Sequence, residues 1–561
     1  MDTLDRLAHA QATLTAPGAP FELTEISTTD VAYNIYKNAP ETLIEVIKAA
    51  RKEDDSCFLT YLDDHWSFQR FYQTVDSVAG WMYQKGIRPG QRVAIAMRNR
   101  PEWAVAFVAS ALIGAVPAPL NSFGVGEELA AAIDDIKPDL LVCDQERFRR
   151  LIGEVGVLGC DVLLTGTPQD GTTSFKAAAS EKAIPLPEPS LCADDPALIL
   201  FTSGATSRAK AVVSSQRAVC QALTNIDYIS ALSGMTSPEL IQKIMARSAP
   251  QVLLTAVPLF HVSGLHAQLL TALKAGRRVI FMHKWEAASV LKTMKDEQVT
   301  QFNGAPSMVT QLLRQPEFIE ASQSLVGLGF GGAGIPATTI EHVLDTLTEQ
   351  LVGVGYGMTE TNGVASAGAG DLFRSNPAAS GVVSPIMQVR TCSLEGDILS
   401  AGEAGEIQLK GVTVMDCYLD NPRETEAAFT DDGWLKTGDL GYLDSNGYLF
   451  IVDRLKDVIN RAGENIAATE VESCLLKHDD VLEAAVFGVP DEDTGESVVA
   501  VVHVRDVDRV TPVELRKFAA SHIAAYKVPS IINLLSDSLP KNPTGKILKA
   551  EIKAKYCQSA S

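Results

Sequence analysis

The chain is short of positive charge: 48 Lys and Arg face 69 Asp and Glu, a formal net charge of −21 at pH 7 over 561 residues. A sequence-independent grip on nucleic acid or anionic lipid draws on surplus cations, so this balance argues against both as partners. Cysteine is sparse and scattered, nine residues from Cys57 to Cys557 with no C-x-x-C pair. That speaks against a zinc site or a disulfide framework and predicts a reducing, cytoplasmic setting. No apolar run reaches the ~20 helical residues of a membrane span. The two uncharged stretches, 103–126 and 249–273, are broken by Gly114, Pro117 and Pro119 in the first and by Pro250 and Pro258 in the second. Each reads as buried helix plus buried strand. The N-terminus (MDTLDRLAHAQATLTAPGAP) carries acids early and lacks a sustained apolar core, so no signal peptide is expected. Internal repeats and low-complexity linkers are also missing.

What is present is length enough for two or more domains. Short apolar runs such as RVAIAM, DLLVC, ALILF, VLLTAV and RVIFM alternate with helix-length segments such as PEWAVAFVASALIG and EAASVLKTMKDE, which predicts an α/β fold of parallel sheets covered on both faces. From about Gly370 the texture changes to short strands between Gly, Asp and Asn turns (GEIQLKG, GWLKTGD, GYLFIVDR), a β-rich subdomain. After DRLKD the pattern turns α+β. The predicted division is a large N-terminal domain, residues 1–452, and a small mobile domain, residues 453–561. The tail is basic against the trend: from Val501 to Ser561 ten Lys or Arg stand against five Asp or Glu, about +5.

The segment LILFTSGATSRAK, Leu198 to Lys210, has the look of a phosphate loop, with hydroxyls and a Gly before a Lys. It is not a Walker A loop, because Ala209 and Ala211 flank Lys210 where Gly and Ser or Thr are required. GFGGAG, Gly329 to Gly334, matches G-x-G-x-x-G, but Pro336 follows too soon for a dinucleotide-binding helix. Further along come PLFHVSGL (258–265), NGAPSM (303–308), YGMTE (356–360), TGD (437–439), DRLKDVINRAGENI (453–466) and LPKNPTGKILK (539–549). In this order the motifs resemble the adenylate-forming superfamily of acyl-CoA synthetases, luciferases and peptide-synthetase adenylation domains, over nearly the whole chain after Ala39.

The resemblance implies a role for each. Thr202, Ser203, Gly204, Thr206, Ser207 and Lys210 would hold the β- and γ-phosphates of ATP. Gly332, Ala333, Gly355 and Tyr356 would form the adenine slot, the aromatic stacking on the base. Thr359 and Glu360 would meet phosphate and Mg²⁺, a hard cation that prefers oxygen. Asp439 would accept from the ribose hydroxyls, and Arg454 would help fix the nucleotide. Lys546 is the expected catalytic cation, since a carboxylate attacking the α-phosphate brings two anions together. Lys456 stands at the expected hinge, Gly463 along the expected coenzyme A tunnel, and His261 as a gate between acid and nucleotide, with a satisfied buried histidine as its rival reading.

Relatives of this kind usually read T-S-G-T-T-G-x-P-K-G in the loop, where this chain has Ala205, Ser207, Ala209 and Ala211. Gln216 stands where His is frequent, and Ala468 where a Pro commonly follows GENI. The implied activity is an acid–thiol ligase that makes acyl-AMP from an acid and MgATP and passes the acyl group to coenzyme A. The expected acid is a medium- or long-chain fatty acid or another bulky hydrophobic carboxylate, including arylalkanoate, terpenoid and sterol side-chain acids. A homo-oligomer is compatible with the sequence. The alternatives are an acyl-AMP ligase loading a carrier protein and a non-catalytic nucleotide-binding regulator.

Overall fold

The computed structural model describes residues 2–28, 31–156, 158–202, 208–247, 249–331, 335–542 and 545–557. Five strands in the order Val116–Pro119, Arg92–Ala96, Leu140–Asp144, Asp161–Thr165 and Thr173–Ser174 form an all-parallel sheet. Its centre, 93–96 and 140–143, is fully buried, as parallel strands with crossover helices on their faces must be. A nine-stranded sheet runs Val382–Val383, Gly363–Ala369, Leu351–Met358, Gly327–Gly331, Gln301–Gly304, Val252–Thr255, Arg278–Phe281, Cys57–Tyr61 and Asp64–Ser67. Its six inner strands, from Leu351–Met358 to Cys57–Tyr61, are parallel, and antiparallel pairs close both edges.

The ALILF run departs from the expected parallel pairing. It forms strand Pro196–Phe201, antiparallel to Ala211–Ser215, which in turn pairs antiparallel with Cys417–Tyr418. The reason is that alternate side chains enter different cores: Leu198 and Leu200 join one cluster, Ile199 and Phe201 another. A strand buried on both faces reads as one apolar run whatever the direction of its neighbour.

Both uncharged stretches break as expected. The first is helix Pro101–Leu112 and then strand Val116–Pro119; the second is strand Val252–Thr255 and then a helix that changes pitch, with a π turn at Leu265–Leu270. Among the described residues no helix is long and apolar enough to cross a membrane. Helix starts follow cap chemistry, as at Ser67, Asp144 and Thr511, whose side chains accept the N–H of the third residue on; at Thr511 a capping box with Glu514 completes the turn.

The β-rich region is a four-stranded antiparallel sheet of Met387–Cys392, Gly405–Gly411, Leu435–Leu443 and Leu449–Arg454. Asp453 and Arg454 still pair with Leu440 and Asp439 in that sheet. A short turn, Leu455–Asp457, with Lys456 exposed, then leads to Ile459–Arg461 in a different sheet. There Glu464–Ile466, Ile459–Arg461, Gly495–Val504 and Val481–Asp491 pair antiparallel, and Ile531–Leu535 adds in parallel. Helices Ala468–Leu475, Pro512–Ala520 and Lys549–Cys557 complete an α+β unit with its own core, which includes Ile459, Val471, Val486, Val498, Val502 and Leu515.

Candidate active site

The antiparallel pair at Pro196–Phe201 and Ala211–Ser215 brings both ends of the phosphate loop together. The Thr202 N–H donates to the Lys210 carbonyl at 2.9 Å, and the Lys210 N–H donates to Thr202 Oγ1 at 3.0 Å. Ser203, Gly204, Thr206 and Ser207 lie outside the described residues, as do Gly332 and Ala333. The Lys210 side chain reaches across the third strand. Its Nζ sits 4.4 Å from the centre of the Tyr418 ring and 2.8 Å from Glu424 Oε2. The Tyr418 hydroxyl donates to Glu360 Oε1 at 2.9 Å, so a single aromatic ring touches both the loop lysine and the acid of YGMTE.

Glu360 is buried in a one-turn 3₁₀ helix, Thr359–Thr361, that ends strand Leu351–Met358. The strand's pairing shifts between Tyr356 and Gly357. A Cβ on Gly357 would lie 1.6 Å from the Gly363 carbonyl oxygen, so glycine alone lets the chain fold back tightly here and carry Thr359 and Glu360 off the sheet end. Thr361 locks the turn by donating its hydroxyl to the Gly363 carbonyl at 2.8 Å.

One sheet over, Asp439 is 4% exposed and stands opposite Arg454 in strand register. Its carboxylate accepts from the Tyr356 hydroxyl at 2.7 Å and forms an ion pair with Arg454, whose Nε lies 2.6 Å from Oδ1. Burial pushes this carboxyl up, and the Arg454 guanidinium pulls it back toward the charged form. Lys546 arrives at the same place from the far end of the chain. Its N–H donates to Asn542 Oδ1 at 2.9 Å, and the Asn542 N–H donates to the Lys546 carbonyl at 2.8 Å, closing a tight turn. Gly545, at φ +83°, offers its carbonyl to the Ser307 hydroxyl at 3.0 Å, which seats the turn on the NGAPSM segment. Burial, reinforced by Arg454 and opposed by Asp439, pushes the Lys546 ammonium down to about 8. Two further contacts hold the C-terminal unit in this seat: Arg314 Nη2 donates to the Leu482 carbonyl at 3.3 Å, and Asp453 Oδ2 accepts the Thr469 N–H at 3.1 Å.

Residues 46–419, more than half of the chain, match the AMP-binding enzyme family, and residues 470–546 match the AMP-binding enzyme C-terminal domain. This chain belongs to the AMP-binding enzyme family. Among its curated relatives, 4-coumarate--CoA ligase-like 6 of Arabidopsis thaliana is 30% identical over 498 residues, 87% of this chain and 85% of the relative. The 3-[(3aS,4S,7aS)-7a-methyl-1,5-dioxo-octahydro-1H-inden-4-yl]propanoyl:CoA ligase of Rhodococcus jostii (strain RHA1) is 30% identical over 530 residues, 91% of this chain and 98% of the relative. Among solved structures, ATP-bound MatB from Rhodopseudomonas palustris superposes with a TM-score of 0.81 at 28% identity, covering 93% of this chain and 100% of that one. The resemblance to the adenylate-forming superfamily holds, and with it the α/β architecture and the class of ATP-dependent acyl- or aryl-CoA ligases that work through acyl-AMP.

In this member of the AMP-binding enzyme family the described candidate residues form two groups, Lys210 with Glu360 through Tyr418, and Asp439 with Arg454 and Lys546. Tyr356 belongs to the second through its hydroxyl, a contact that the expected ring stacking did not include. Gly355 lies on the same strand, where a Cβ would make only ordinary contact with Val364 at 3.7 Å. His261 begins the pitch-changing helix; its Nε2 is buried without a partner among the described residues, and burial pushes the imidazole down to about 4, so it is neutral near pH 7. The next residue, Val262, lies 3.5 Å from where a Cβ on Gly363 would stand, which ties this segment to the Glu360 turn. Gly463, at φ +87°, is in the exposed turn of hairpin Ile459–Arg461/Glu464–Ile466, with nothing within 4 Å of an added Cβ; the structure brings it to neither group. Gln216 is an anchor, its Oε1 accepting the Leu43 N–H at 2.8 Å. Sequence reasoning missed Tyr418, Glu424 and Ser307. The signal for the first two was the run YLDNPRE, a strand end followed by an Asn cap and a Pro-initiated helix.

Proposed function

We propose that the protein activates a bulky hydrophobic carboxylic acid with ATP, giving acyl-AMP and pyrophosphate, and then transfers the acyl group to coenzyme A with release of AMP. The supporting observation is the convergence of Lys546 with the buried Asp439 and its half-exposed partner Arg454. A cation delivered from a separate unit to the nucleotide end of the site suits a reaction in which an anion attacks an anion. In this reading Lys210 and the loop hydroxyls hold the β- and γ-phosphates, Asp439 takes the ribose hydroxyls, and Tyr356 flanks the adenine.

Magnesium fits as a companion of ATP. Among the described residues no cluster of three or more His, Cys, Asp or Glu side chains could cage a metal, but Mg²⁺ bound with phosphates needs only one or two carboxylates and keeps its waters. Glu360, buried and hydrogen-bonded through one oxygen, supplies one. The ion would offset phosphate charge there.

The division at 452/453 and the hinge at Lys456 belong to the same proposal, and the change of sheet across Leu455–Asp457 supports them. Released from its seat, the 453–561 unit would turn Gly463 toward the incoming thiol, for which its present open surroundings leave room. For the acid, apolar Val257, Leu259 and Phe260 beside a neutral His261 support a hydrophobic tail. A ring-bearing acid is the second reading, favoured by the bicyclic propanoate in the name of the Rhodococcus relative that aligns over 98% of its length.

The test is acid-dependent exchange of labelled pyrophosphate into ATP across fatty, arylpropenoic and bicyclic alkanoic acids, followed by thioester formation with coenzyme A alone. Absence of exchange with every acid offered refutes the ligase and supports a non-catalytic binder. Exchange without thioester, rescued by a carrier protein, replaces coenzyme A by the carrier.

A further inference from the structure

Tyr418 is buried in a small cluster with Val212, Met415 and Leu435, so its ring is fixed. The hydroxyl is committed to Glu360, and the ring face carries the Lys210 ammonium. Glu424 is different. It sits in the first turn of helix Pro422–Ala428, whose N-cap bond is made by the Asn421 side chain to the Glu424 N–H at 3.2 Å. Its own carboxylate is not needed for the cap, and it is 44% exposed. That side chain nonetheless closes on the lysine that follows the phosphate loop.

We propose that Tyr418 and Glu424 are positioning residues that hold Lys210 for nucleotide. Before ATP binds, the ammonium rests on the Tyr418 ring and is neutralised by Glu424. When ATP binds, a phosphate oxygen takes the place of the Glu424 carboxylate while the ring contact stays. Glu424 therefore competes with the triphosphate for a single cation, and every binding event includes that exchange. The inference rests on the ATP-dependent reading of the site, and it concerns this chain's residues rather than the metal.

The experiment is calorimetric titration of ATP, in EDTA so that no metal takes part, into the full chain, Glu424→Gln, Lys210→Ala and the double variant. Removing the competitor is expected to tighten ATP about two- to fivefold, the scale of an exposed ion pair, and the gain should shrink as salt is raised. In the Lys210→Ala background the same change should do nothing. Glu424→Asp, which keeps the charge, should bind as wild type does. Tyr418→Leu should weaken ATP binding about two- to fivefold through loss of the ring face, and Tyr418→Phe, which keeps the ring, should weaken it less than Tyr418→Leu does. Unchanged or weaker binding by Glu424→Gln overturns the proposal. So does an equal gain with and without Lys210, which would make Glu424 a general repellent of anions. Wild-type protein that binds no ATP overturns the parent reading together with this one, while wild-type binding with an inert Glu424 overturns this one alone.

Discussion

Lys546 titrates in a range that assays can reach, and its sign can be worked from its surroundings. Burial disfavours the charged form of a lysine, and the neighbouring Arg454 cation disfavours it further; Asp439 only partly offsets them. The ammonium is therefore pushed down to about 8, against an ordinary value of about 10.4. Charge is complete well below pH 8 and is lost as pH rises through it. With that midpoint about one tenth of the ammonium survives at pH 9, so kcat/KM for adenylation should fall about tenfold between pH 7 and pH 9. Bound ATP is an anion and restores the charge, so the limb in kcat should lie at higher pH than the limb in kcat/KM. Transfer of a preformed acyl-AMP to coenzyme A should show no such fall and should instead rise with ionisation of the thiol, near pH 8.5 for a free thiol. The assay is pyrophosphate exchange beside thioester formation from synthetic acyl-AMP, both across pH 6.5 to 9.5, roughly the span in which lysine and thiol separate. Lys546→Arg, if it folds into the same turn, keeps its charge throughout and should flatten the alkaline limb. A wild-type adenylation profile that stays level to the top of this range, or one alkaline limb shared by both half-reactions, would refute the reasoning.

Lys546→Ala should slow pyrophosphate exchange by about 10²–10³, the usual loss for one donor at developing charge, while thioester formation from acyl-AMP persists. Gly545→Ala should also act on the first half-reaction alone: the added Cβ would stand 2.6 Å from Ser307 Oγ, and a left-handed backbone costs a non-glycine residue about 1–2 kcal/mol. Ser307→Ala in the same chain should recover part of the loss, and no recovery would assign the defect to backbone strain. Tyr356→Phe leaves the buried Asp439 carboxylate one hydrogen bond short, worth about 1.5–3 kcal/mol for a charged acceptor, so the thermal midpoint should fall; an unchanged midpoint would show that the bond contributes nothing to the fold. Gly463→Val meets open space but takes on left-handed backbone strain at φ +87°, about 1–2 kcal/mol for a non-glycine residue; the strain is confined to an exposed hairpin away from both groups, so pyrophosphate exchange should survive while thioester formation slows, and loss of exchange would refute its assignment to the thiol side.

The residues that were legible in the sequence are those whose chemistry is bound to a short motif. Glu360 and Asp439 stand out as candidate acids through the motifs YGMTE and TGD and the resemblance that the ordered motifs carry, and Lys546 also because a Gly-preceded turn carries it on a basic tail. Tyr418 and Glu424 carry no such mark. A tyrosine at a strand end and an acid in a helix's first turn are common everywhere, and their meaning arises only when the three-stranded sheet pairs Tyr418 with Val212 and so sets its ring beneath the Lys210 ammonium. The pairing direction of ALILF was hidden for a related reason, since burial on both faces erases the alternation that would distinguish its neighbours. At the expected division Asp453 and Arg454 look like the start of a new segment, yet backbone pairing with Leu440 and Asp439 keeps them in the preceding sheet.

An acidic protein that binds an acidic nucleotide has to concentrate its cations, and the structure shows the form this takes. Lys210, Arg454 and Lys546 are each faced by an acid, Glu424 for the first and Asp439 for the other two. The cations are thus stable in an empty, partly buried site, where unpaired charges would be costly. The two arrangements differ in what happens when ATP enters. Asp439 is buried and held by both a tyrosine and an arginine, so Arg454 keeps its partner and the pair serves as a fixed dipole. Glu424 is exposed on a helix turn and can let go, so Lys210 changes partner. Lys546 shares Asp439 with Arg454 but is brought by a unit seated through Ser307, Arg314 and Asp453. On the proposed reading, a fixed pair, an exchangeable pair and a delivered cation would let a site with little net charge take up a triphosphate and give up pyrophosphate after the attack.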